Sequence, residues 1–202
     1  MSHRSTSLVV AFVIALVVTV GACARDAEFD KAVARLRDID SSLPFVDAGH
    51  IYYTRTDDEG RRLHCRRAIA AGSREEILFD SSSTFVGSYA VSPDSRWLAV
   101  SSEIALDRWR IELRDRETGI SLQIDDADFS VAFGDDGTLF YAALDDDNTP
   151  RTVMSVEPAR RTERIVLEGK DEVLVAPVDG KPAVFVLGGA GMPKMRSLAS
   201  PL

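Results

Sequence analysis

From His50 onward the chain is all strand and turn, with short apolar runs and two-residue alternation broken by turn residues. The stretch 89–119 shows the pattern most fully. Residues 89–91 are strand formers. Ser92-Pro93-Asp94-Ser95 is a β-turn, in which proline pre-sets φ while Asp and Ser bond back to the backbone. Residues 97–100 are an apolar run too short for a helix. Trp109, Ile111 and Leu113 then alternate with Arg110, Glu112 and Arg114, the period of a half-buried strand. Glu117-Thr118-Gly119 closes the stretch with another turn. This succession predicts most of one four-stranded blade of a β-propeller.

The pattern recurs. Residues 131–141, VAFGDDGTLFY, line up with 89–99 at an offset of about 42 residues, the spacing of four-stranded blades. Asp179-Gly180-Lys181, followed by apolar residues 183–187, reads as a third copy. Before the first copy, runs 51–55 and 63–68 flank Asp57-Asp58-Glu59-Gly60, a hairpin signal, and 76–79 is a further strand. Runs 152–156 and 164–167 supply strands between the copies. The expected fold is therefore all-β, an incomplete propeller of about three to four blades over 50–202. A closed ring needs at least about four blades, and this segment holds about three and a half, with a tail from Gly188 that loses strand character. The reading expects open sheet edges and a portion of something longer.

The first 49 residues differ. Residues 8–20 are an unbroken apolar run behind His3 and Arg4, the length of a signal-peptide core and short for a membrane span. Small residues Gly21 and Ala22 precede Cys23 in a lipobox-like arrangement. The expectation is a lipoprotein-type signal over 1–22, with Cys23 lipidated and the protein exported and membrane-anchored on the periplasmic or cell-surface side. An ordinary cleaved secretory signal and an uncleaved anchor are the alternatives. Residues 23–49 are expected to be a tether: a short amphipathic helix over 26–38, with Phe29, Ala32, Val33 and Leu36 on one face, then a linker over 41–49.

Composition changes this picture little. A net charge of −8 argues against a nucleic-acid partner, whose phosphates it would repel. Cys65, the second of two cysteines, reads as a small buried apolar residue rather than a reactive thiol, and no zinc-type spacing exists.

The order of HIYYTRTDDEGRRLHCRR (50–67), EILFD (76–80), the 89–119 stretch, SVAFGDDGTLFYAALDDDNTPRTVMSV (130–156) and ERIVLEGKDEVLVAPV (163–178) resembles the N-terminal propeller of the prolyl oligopeptidase family, in its oligopeptidase B branch. The resemblance implies a non-catalytic propeller that filters substrates by size above an α/β-hydrolase domain of a serine endopeptidase. In that family the nucleophile sits in Gly-x-Ser-x-Gly with Asp and His partners. This sequence has no Gly-x-Ser-x-Gly, so no catalytic residue carries over. A catalytic hydrolase domain, or copies of this chain, are the expected partners, with peptide substrates reached only through that domain. The other reading is a lipid-anchored, propeller-like envelope scaffold, closed by pairing of open edges between chains.

The remaining candidates each have a plain structural explanation. Asp125-Asp126 with Asp128, and Asp145-Asp146-Asp147-Asn148, offer calcium-type oxygens but lack the spacing of a known loop, and solvated turns are expected. His50 and His64 flank one hairpin and are expected to be surface or satisfied core residues. Arg61, Arg62, Arg66 and Arg67 could face an acidic partner, but alternation on an exposed sheet face explains them as well and is expected. Trp97 and Trp109 are expected to pack between blades. No cofactor or metal is expected.

Overall fold

The computed structural model describes residues 44–178, 180–187 and 193–198, and its regular structure there is entirely β. The apolar leader, Cys23 and the expected helix over 26–38 lie outside the described residues. Blade 1 is a four-stranded antiparallel sheet of β1 (Phe45–Asp47), β2 (His50–Thr56), β3 (Arg62–Ala68) and β4 (Glu76–Asp80), in chain order. Blades 2 and 3 share one seven-stranded sheet. Its strands are β5 (Val86–Val91), β6 (Trp97–Ala105), β7 (Arg108–Asp115), β8 (Ser121–Phe133), β9 (Leu139–Leu144), β10 (Pro150–Glu157) and β11 (Thr162–Glu168). Blade 4 has β12 (Val173–Val178), β13 (Lys181–Val186) and β14 (Lys194–Ser197). Every pairing is antiparallel between chain neighbours, and the described strands form an arc that does not close.

Two boundaries differ from the sequence reading. The linker over 41–49 contains β1, which pairs with β2 from Phe45↔Tyr52 to Asp47↔His50, so the sheet begins before His50. Three residues are too few to show a period, which hid the strand. The tail regains strand structure at β14, paired to β13 from Ala183↔Ser197 to Val186↔Lys194. Its four residues are all exposed, so no apolar pattern marked it.

The two turn copies fold alike. In the first, the Ser95 N–H donates to the Ser92 carbonyl at 2.8 Å and Asp94 accepts the Arg96 N–H at 3.0 Å. In the second, the Gly137 N–H donates to the Gly134 carbonyl at 2.9 Å and Asp136 accepts the Thr138 N–H at 3.0 Å. Gly137 sits at φ +81° and Ser95, at the matching place, at φ +62°, a left-handed conformation that glycine takes without steric cost.

Strand β8 joins the blades. Its start pairs with β7, Arg114↔Ser121 to Ile111↔Ile124, and its end with β9, Val131↔Tyr141 to Phe133↔Leu139. Ala127 stands opposite both Trp109 and Ala143, next to Asp126 at φ +53°. Here the outer strand of one blade becomes the inner strand of the next.

The core lies between blades. Ile111, Leu113, Val131, Phe133, Leu139 and Val156 fill the space between blades 2 and 3. Ala132, Phe140, Val153, Val175 and Val184 fill that between blades 3 and 4, and Tyr52, Leu78 and Leu98 that between blades 1 and 2. Successive side chains of an inner strand therefore face different neighbours, and both faces are buried. That is why 131–133 and 173–175 are continuous apolar runs rather than alternating ones. Two smaller buried clusters lie at the ends of the arc: Ile51, Tyr53, Leu63 and Cys65 on blade 1, and Leu174, Ala183 and Phe185 on blade 4.

Candidate functional site

Three places bring chemically capable groups together. The first is under blade 1, where β3 carries His64 opposite Thr54 and the chain leaving β4 carries Ser81. His64 Nε2 lies 3.0 Å from Ser81 Oγ, and Nδ1 lies 3.3 Å from Thr54 Oγ1. The ring stacks on Phe79 with centroids 4.3 Å apart and meets the edge of Tyr89 at 5.1 Å. Burial, and then the charge of Arg62, pushes its pKa from 6.5 down to about 4. A serine nucleophile needs an accessible base whose other nitrogen is held by a carboxylate. Here that nitrogen faces a hydroxyl, and Ser81 and His64 are each only 8% exposed. The pair is a core hydrogen bond. His50 does not meet it: His50 stands opposite Ala68, at the other end of the hairpin.

The second place is the seam between blades 1 and 2. Arg66 Nε donates to Glu76 Oε2 at 2.6 Å, and Arg66 Nη1 donates to Ser95 Oγ at 3.1 Å. Arg116 pairs with the other oxygen of Glu76 and donates to the Ser95 carbonyl at 2.6 Å. One carboxylate thus bridges two arginines and clips the turn of blade 2 onto blade 1. Arg66 is 5% exposed, which corrects the expectation that the arginines of β3 alternate on an open face. Arg61 instead pairs within its own turn, with Asp57 at 2.8 Å.

The third place is a groove of about 690 Å³ at the end of the blades where β6 turns into β7 and β9 into β10. Trp109, Phe129, Leu144, Leu174 and Leu187 line it, with Asp128 and Glu172 among them. Trp109 packs between Phe85 and Phe129, with ring centroids 5.9 and 5.8 Å away. The packing needs Gly87, where an added Cβ would lie 2.7 Å from both Phe129 Cβ and the Trp109 ring. Burial pushes the Asp128 carboxyl up to about 6, against the lowering by the Phe129 backbone N–H; the charge of Glu172 raises it further. Sequence reading placed Asp128 only in an acidic loop, because its burial comes from β12 and β7, far away along the chain. Trp97 lies at the opposite end, with the Arg96 guanidinium 5.3 Å from its ring centre.

The other candidates resolve into structural roles. Asp145 accepts the N–H groups of Asp147 and Thr149 at 3.0 and 2.9 Å and pairs with Arg151. Asp125 pairs with Arg110 at 2.5 Å. Among the described residues no group of three or more His, Cys, Asp or Glu side chains gathers to hold a metal ion. Cys65 is buried and free, and burial pushes its thiol up to about 11, away from the reactive thiolate.

These blades, in this order, have relatives. The family model for the prolyl oligopeptidase N-terminal β-propeller domain matches residues 19–172. The chain belongs to this family. Dipeptidyl aminopeptidase BI of Pseudoxanthomonas mexicana is 31% identical over 157 residues, covering 64% of this chain and 21% of that protein. Oligopeptidase B from Leishmania major superposes with a TM-score of 0.60 at 15% identity, over 85% of this chain and 31% of that one. Oligopeptidase B from Trypanosoma brucei, solved in a closed form with covalently bound antipain, gives 0.57 at 20% identity, over 84% and 29%. The two structural likenesses speak to the fold. The chain spans about a fifth of the length of its curated relative and under a third of the two oligopeptidases.

Proposed function

We propose that this chain is the substrate-gating, non-catalytic propeller portion of an exported serine endopeptidase similar to oligopeptidase B. The observation that carries the reading is the arc itself. Among the described residues, three complete blades and three strands of a fourth stand side by side in an arc that does not close, within a match to the family's propeller model. An open arc of blades calls for further blades to close it, and a ring of them would wall a passage to a hydrolase domain that supplies serine, histidine and aspartate. Size selection then follows from the rigidity of interlocked blades. The apolar run over 8–20 and the Gly21-Ala22-Cys23 sequence support export and a lipid on Cys23.

The full chain is to be incubated with a fluorophosphonate probe and with basic and prolyl dipeptide reporters. No covalent adduct and no hydrolysis are expected, because the Ser81–His64 pair is sealed and lacks a carboxylate. Labelling of any serine overturns the gating reading. Mass spectrometry of membrane-extracted protein is expected to find acyl chains on Cys23, and a Cys23→Ser variant to partition into the soluble fraction.

A further inference from the structure

The two ends of the blades differ in charge. The loops at the groove end, 57–61, 106–108, 125–128, 145–149 and 169–172, carry twelve acidic and three basic residues. The opposite end, over 47–50, 69–75, 92–97, 116–120, 134–138 and 158–162, carries six acidic and five basic. The excess negative charge of the described chain thus lies at the end of the blades that carries the groove, whose own lining holds Asp107, Asp128 and Glu172 against Arg108. The same end exposes large apolar side chains: Leu106 is 86% exposed and Phe85 66%, while Ile104 stands at 44% beside them. Water-exposed apolar groups of this size, continuous with a groove floored by Trp109 and Phe129, mark a contact surface. Asp128 strengthens the case. Its carboxylate lies among apolar groups with Glu172 as its charged neighbour, so it costs stability when ionised.

We propose that this groove docks a basic polypeptide segment bearing bulky apolar side chains. Its apolar residues seat on Trp109, Phe129 and Leu106, and a lysine or arginine reaches Asp128 and Glu172. Charge complementarity selects this occupant. An acidic or neutral apolar segment would meet the carboxylate rim without compensation, whereas a cation entering the groove supplies a counter-charge to Asp128 and Glu172. The proposal does not depend on the gating reading.

The test uses the full chain and three synthetic decapeptides: alternating Leu and Arg, alternating Leu and Glu, and all Arg. Binding is read by calorimetry and by Trp109 fluorescence in a Trp97→Phe background, at 150 mM salt. The Leu/Arg peptide is expected to bind one-to-one, at least tenfold more tightly than either other peptide. Leu106→Ser and Asp128→Asn, one exposed and one half-buried in the groove, are each expected to weaken it at least fivefold while leaving the circular dichroism unchanged. Equal binding of the all-Arg peptide overturns the proposal, since it would reflect net charge alone. So does binding unaffected by both substitutions. A concentration-dependent dimer that Leu106→Ser abolishes would also overturn it, assigning the groove to a second copy.

Discussion

His64 shows how a single side chain couples this fold to pH. In the unfolded chain it titrates near 6.5, and in the fold at about 4. Between those values the unfolded state binds more protons, so stability is full above about pH 6.5 and is lost as pH falls toward 4. The shift corresponds to about 3 kcal/mol or slightly more. Asp128 works in the opposite sense. Its folded value is raised to about 6, so its penalty is absent below about pH 4 and grows as pH rises to 6. Urea midpoints measured at pH 7.5 and 4.5 separate the two. His64→Gln is expected to flatten the acid-side loss, while Asp128→Asn steepens it and stabilises the protein at pH 7.5. Parallel pH slopes for both variants and the parent would refute the assignment. Neither effect was legible from sequence: both depend on burial by residues distant along the chain.

At the level of elements, the seam between blades 1 and 2 rests on one carboxylate. Glu76 of β4 holds Arg66 of β3 and Arg116 beyond β7, and both arginines also reach Ser95 in the turn between β5 and β6. Glu76→Gln leaves Arg66 buried without its counter-charge. Removing one partner of a fully buried pair costs about 3–5 kcal/mol. Glu76 is 41% exposed, and a loss of about 2 kcal/mol is expected here. The control is Arg108→Gln, which breaks an exposed pair with Asp126 at 3.4 Å and is expected to change stability by less than about 0.5 kcal/mol. Equal effects of the two substitutions in chemical denaturation would show that Glu76 is not a clip. The sequence marked β3 and β4 as strands. It did not mark Arg66 as inward-facing, because an arginine in an alternating run reads as exposed unless its partner is known.

For the whole molecule, the sharing of β8 between two blades sets the order of stability. Blades 2 and 3 form one hydrogen-bonded sheet around the largest core cluster, whereas blades 1 and 4 are separate sheets packed against its two ends. Stacked repeats of this kind open unit by unit from their ends. Hydrogen exchange is therefore expected to be slowest in β6, β7, β9 and β10 and fastest in β1 and β14. Uniform protection across all four blades would contradict an arc held mainly by its centre.

The residues alone determined the strands, the turns and their repeat, because a two-residue period and the chemistry of Ser-Pro-Asp-Ser and Gly-Asp-Asp-Gly act over a few neighbours. The 42-residue offset then implied blades, and the count implied an open arc. What the tertiary structure decided is everything that depends on which blade faces which. It placed β1 in a segment that read as linker and β14 in a tail that read as irregular, since strands this short take their order from a partner rather than from their own pattern. It turned Arg66 inward, sealed His64 and Ser81 beneath Phe79 and Tyr89, and set Asp128 in a groove with Trp109. Burial and charge pairing are sums over contacts remote in sequence, so no local pattern encodes them.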